Sequence, residues 1–125
     1  MTVSYIRPQE PVHVDHDQLG TLYSDMGHIG AEDVVCRAME ELALRMAHCD
    51  RLYRAGEMDE LRKAARSLIA IADQIGMHLL ARVAGDVTTC IDQSDPVALG
   101  ATLARLMRTG ERSLTAIWDL QDITI

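Results

Sequence analysis

The chain has no phenylalanine, one tryptophan and only three tyrosines among its 125 residues, yet 48% of it is apolar. Its interior must therefore be built from Leu, Ile, Val, Met and Ala. That palette favours helix over strand, because sheets draw on β-branched and aromatic side chains. Cysteine is sparse: Cys36, Cys49 and Cys90 stand far apart, are odd in number and form no CxxC pair. Neither a zinc knuckle nor a disulfide framework fits that usage. Each falls within a helical pattern, where a reduced cysteine acts as a small apolar residue, so the cytoplasm is the expected compartment. Basic residues are also in the minority, with 12 Lys and Arg against 19 Asp and Glu and a net charge of −7. Nucleic acid is not an expected partner, since binding it requires a basic surface that displaces counterions. No apolar run approaches membrane-spanning length, and Arg7, Pro8 and Pro11 interrupt the start where a signal peptide would need an apolar core, so no membrane role is expected.

What is present is helical periodicity. Residues 1–14 hold two of the three prolines and no periodicity, and read as an extended arm; residues 15–125 fit one domain. Leu19, Leu22, Tyr23 and Met26 mark a short amphipathic helix ending at Gly27. A long helix follows over about 31–54, with Val35, Met39, Leu42, Met46, Cys49 and Tyr53 alternating by four and three, and with Gly56 as a C-terminal cap. A second, over about 58–75, repeats the alternation in Leu61, Ala65, Leu68, Ala72 and Ile75. A third starts near Gly76 and uses Leu80, Val83, Val87 and Cys90. Asp95 and Pro96 form an N-cap and first position for the last helix, over about 96–120, whose seam is Leu99, Leu103, Leu106, Gly110, Leu114 and Ile117. Four long amphipathic helices with short loops predict an all-α fold, an antiparallel four-helix bundle capped by the short first helix.

On a helical wheel the apolar residues of the second long helix cluster on one side. Arg62, Arg66, Ala70 and Asp73 occupy the opposite side, with Ile69 at the margin. Arg66 is thus expected to face solvent from mid-helix, beside a small residue one turn on. This is the geometry of a docking surface.

In this helix the chain resembles the histidine phosphotransfer (HPt) domain family. That family's active helix reads approximately A-H-x-L-K-G, with a further glycine six residues later; Ala65, Leu68 and Gly76 stand in register here. Leu80, Ala81 and Val87 match the next helix, with Ala84 where cysteine is common, and the segment AGEMDELRKAA at 55–65 resembles the family's loop and helix start. The resemblance covers about Asp15 to Leu120. It implies an HPt-like bundle, a place in two-component phosphorelays, and a receiver domain of a response regulator or a histidine kinase as partner.

The departures fall on the chemistry. Arg66 occupies the phosphoacceptor histidine's position, Ile69 that of a common lysine and Ala70 that of a common glycine. Phosphoryl transfer needs a neutral, nucleophilic imidazole, whereas arginine keeps its proton and offers only donors. Ile69 removes the cation that would balance the phosphate, while Ala70 keeps the surface low. The chain is accordingly expected to be no enzyme: a phosphotransfer-like module binding its partner through Arg62, Arg66, Ile69, Ala70 and Asp73, with no cofactor. Two alternatives stay open. One is an active phosphotransfer protein using His48 or His78; the other is a helical adaptor or oligomerisation module outside phosphorelays. His13 and His16, with Asp15 and Asp17, lack the closed ligand set of a structural zinc site, so they are read as a solvated linker and no metal is expected.

Overall fold

The computed structural model describes residues 12–123, with side chains through Leu120. The arm expected over residues 1–14 therefore lies largely outside the described residues. Four helices account for most of the rest: α1 (His16–Arg54), α2 (Met58–Gln74), α3 (His78–Asp92) and α4 (Pro96–Ile123). Short turns reverse the chain between them. Each helix packs on its successor, and α4 returns to α1, which closes an all-α four-helix bundle.

α1 is two helices in one run. Gly27 breaks it with φ 75° and ψ 166°, a left-handed excursion that glycine makes at little cost. The expected short helix is its N-terminal limb, and the helix resumes at His28, a few residues before the start the sequence suggested. Asp15 caps the limb by accepting the Gln18 backbone N–H at 3.0 Å, which satisfies one of the donors a helix start leaves open. Leu19 and Leu22 pack the limb against the core.

Most of the stripes read from the sequence form the core, although Met39, Tyr53, Cys90 and Leu114 are only partly buried and Ala38, Met77 and Ala84 join it. Leu42 and Cys49 of α1, Leu61, Ala65, Leu68 and Ala72 of α2, Leu80, Val83 and Val87 of α3, and Leu106 and Ile117 of α4 are fully or almost fully buried. Every buried side-chain nitrogen or oxygen among the described residues has a partner; Ser113, for example, donates its hydroxyl to the Thr109 carbonyl at 2.7 Å. Asp95 caps α4 by accepting the Ala98 N–H at 3.0 Å, with Pro96 in the first helical position. Two glycines of α4 admit α1: a β-carbon on Gly110 would collide with the Met46 thioether, and one on Gly100 would stand 3.0 Å from the Tyr53 hydroxyl.

One cysteine departs from the expected apolar role: Cys36 is exposed, whereas Cys49 is fully buried and Cys90 partly so. Cys36 lies next to the buried stripe residue Val35, and a helix turns 100° per residue, so its neighbour leaves the seam.

Candidate functional site

α2 has Leu61, Ala65, Leu68 and Ala72 wholly buried on one side, which turns Arg66, Ala70 and Asp73 outward. Arg66 is exposed at mid-helix, and exposed Ala70, one turn on, leaves the surface beside it low. The face therefore presents an exposed cation beside a small side chain.

The rest of the expected set is more constrained than the helical wheel suggested. Arg62 reaches across to α3, donating from Nε to Asp92 Oδ1 at 2.8 Å and from Nη2 to Asp92 Oδ2 at 3.2 Å. This two-pronged pair holds the Asp92 carboxyl below its ordinary range, chiefly through the hydrogen bonds and with a smaller contribution from the nearby Arg66 charge. The same bonds raise the Arg62 guanidinium above its usual value. Arg62 thus stands as a braced cation beside Arg66. Ile69 is half-buried, packed on the core margin with its Cδ1 toward Gly85 of α3, so it offers an edge instead of a free apolar knob.

Asp73 is committed elsewhere. Its Oδ1 lies 2.9 Å from His78 Nδ1, while His78 Nε2 lies 3.1 Å from Asp15 Oδ2. Both imidazole nitrogens therefore meet carboxylate oxygens, which only the doubly protonated ring can satisfy. Hydrogen bonding to Asp73, then to Asp15, raises the His78 pKa above its ordinary 6.5. Asp15, read from sequence as part of a solvated linker, is instead half-buried and bridges the N-terminal segment to the α2–α3 corner. Its partner lies 63 positions away, a separation that no local pattern reveals.

His48 is exposed, with its Nδ1 3.5 Å from Arg51 Nη2. His13 and His16 are exposed; among the described residues no group of three or more His, Cys, Asp or Glu is placed to hold a metal ion. No helix among them is long and apolar enough to cross a membrane.

Compared with family models, curated proteins and solved structures, the chain matches none.

Proposed function

We propose that this chain is a non-catalytic, HPt-like protein of a two-component phosphorelay, which binds the receiver domain of a response regulator, or a histidine kinase, through the outer face of α2. The observation that carries this reading is Arg66, exposed at the centre of that face where transfer would require a nucleophilic imidazole. A guanidinium cannot accept a phosphoryl group by that route, but it can enter a pocket of clustered acids and pair with carboxylates. Arg62 is held one turn away in its pair with Asp92, so Arg66 carries the charge of this face, and Ala70 leaves room for close approach. Such a protein would compete with an active phosphotransfer protein or hold a regulator in one state.

His48 keeps the acceptor alternative alive because its ring is exposed. His78 is the weaker candidate, since both ring nitrogens are engaged by carboxylates and neither is open to attack. A dimer that buries the Arg66 face would favour the adaptor or oligomerisation alternative.

The test combines binding and transfer to receiver domains from the source cell. Arg66→Glu should weaken receiver binding by more than about fivefold, the most a single exposed ion pair explains; unchanged affinity would remove Arg66 from the interface. Phosphorylated receivers should label an Arg66→His, Ile69→Lys variant but not the natural chain. A lysine at position 69 can lay its stem along the Gly85 edge that Ile69 covers. Label on the natural chain that disappears in His48→Ala would move the acceptor to His48. Silence from both chains would favour the adaptor.

A further inference from the structure

The Asp15–His78–Asp73 cluster lies where three parts of the chain converge: the start of α1, the end of α2 and the start of α3. Around it the N-terminal segment is tied to the α2–α3 turn. The Asp15 N–H donates to the Gly76 carbonyl at 3.0 Å. The Gln18 amide donates to the carbonyls of Asp73 and Gln74 at the end of α2, and the Asp73 carbonyl also accepts the Gly76 N–H at 3.2 Å. Val14 is buried. Of these ties, only the histidine bridge changes its donor count near neutral pH.

We propose that this bridge is a pH-dependent latch: the imidazolium of His78 holds the N-terminal limb of α1 on the α2–α3 corner, and loss of its proton loosens the limb. The neutral ring has one N–H and one lone pair, so it can donate to one carboxylate only. Its lone pair then faces the other carboxylate oxygen at about hydrogen-bond distance, a contact with no proton in it. Asp73 stays beside His78 because the Gly76 turn joins their helices closely. Asp15 is joined to this corner through space alone, 63 positions from His78, so its side-chain contact is the one that opens while its N–H bond to the Gly76 carbonyl remains.

The charged surroundings do not replace the proton. From the N-terminal segment, Asp15 and His13 face the site; α2 contributes Asp73, α3 contributes Arg82, and α4 contributes Arg105. His13, Asp15, Arg82 and Arg105 line one open cavity of about 490 Å³ with His78. Arg105 is drawn toward Asp86 at 3.6 Å. The two arginines oppose a cation on His78, as does its position at the start of α3, where the helix dipole is positive. The two carboxylates, in direct contact, outweigh them. The sign follows: a pKa higher in the docked state than in the free ring means that docking is strongest below about pH 6.5 and weakens as pH rises through the raised value.

The decisive experiment is NMR on the full chain from pH 5.5 to 9.5, following the His78 ring protons together with amide exchange across residues 15–26. The His78 midpoint should lie above the 6.5 of a free imidazole. Exchange protection of the limb, corrected for intrinsic rates, should fall with that midpoint, by about tenfold per unit by which it exceeds the free-ring value. In His78→Gln the limb should exchange as the natural chain does at high pH, with no step near the midpoint. An unshifted His78 midpoint, or protection that ignores it, overturns the proposal. Should His78→Gln fail to fold, the titration of the natural chain decides the matter alone. None of these readouts involves a receiver domain, so the latch and the docking function stand or fall separately.

Discussion

Gly76 lies against the backbone of Asp15: a β-carbon on the glycine would stand 3.0 Å from the Asp15 Cβ, 3.1 Å from its nitrogen and 3.2 Å from its oxygen. The same glycine has φ 77°, in the left-handed region that costs other residues about 1–2 kcal/mol. The α2–α3 turn is therefore both a chain reversal and the seat of the N-terminal segment. Gly56, in the preceding turn, has φ 73° but open space around it.

These two glycines make a controlled pair. Gly56→Ala should cost about 1 kcal/mol of backbone strain. Gly76→Ala should cost more, by roughly a further 1–3 kcal/mol, because rigid backbone must shift to admit the methyl group. Urea unfolding of both variants checks this, and equal losses would mean that the Asp15 approach is easily relieved.

Leu68 is fully buried on α2, on the side opposite exposed Arg66 and Ala70. Leu68→Ala should destabilise the chain by about 2–5 kcal/mol through lost burial and the cavity left behind. By contrast, Arg66→Ala should leave the urea midpoint nearly unchanged, since exposed side chains away from special contacts contribute little. A large stability loss in Arg66→Ala would show a structural duty for that residue and weaken the docking assignment.

The three cysteines should react in order of access. Cys36 is exposed, Cys90 half-buried and Cys49 enclosed, with burial pushing the Cys49 thiol up to about 11. Since the thiolate is the nucleophile, an alkylating reagent near pH 8 should label Cys36 first and spare Cys49 until the chain unfolds. Peptide mapping by mass spectrometry reads the order, and early labelling at Cys49 would contradict the packing of α1.

On the acid side two carboxyls have lowered values, Asp92 through Arg62 and Asp15 at the start of α1. Accepting the Gln18 backbone N–H, and then the His78 bond, holds the Asp15 carboxyl below the ordinary 3.8. A lowered folded value means that its contribution is present above about pH 4 and is lost as pH falls through that value. Asp15→Asn preserves a cap for α1 but removes the charge. Its stability should therefore fall less than that of the natural chain between about pH 5 and pH 2. Identical acid limbs would show that Asp15 gains nothing from its charge.

The helix stripes were legible because burial and period coincide. Leu61, Ala65, Leu68, Ala72 and Ile75 are all fully buried, at the positions their spacing of four and three marks. Local signals marked two boundaries as well: Gly56 takes the left-handed conformation after α1 and Asp95 caps α4, whereas Gly76, read as the start of the third helix, lies in the turn before α3 begins at His78. Arg66 and Ala70 could be placed on the outer face for the same reason, since a helix with one buried side must turn the other outward.

Tertiary structure decided what those outward side chains do. Arg62 and Asp92 are 30 positions apart and Asp15 and His78 are 63 apart, and neither pairing has a period or motif. Both arise only once α2, α3 and the start of α1 are brought to one side of the bundle. Asp73 shows the physical reason most clearly: its helical angle put it on the outer face of α2, but hydrogen-bond reach across the Gly76 turn gave it to His78. Periodicity in a chain reports which face is buried, because water is excluded from a whole stripe at once. It does not report which charged groups meet, because that depends on distances set by the packing of the other helices.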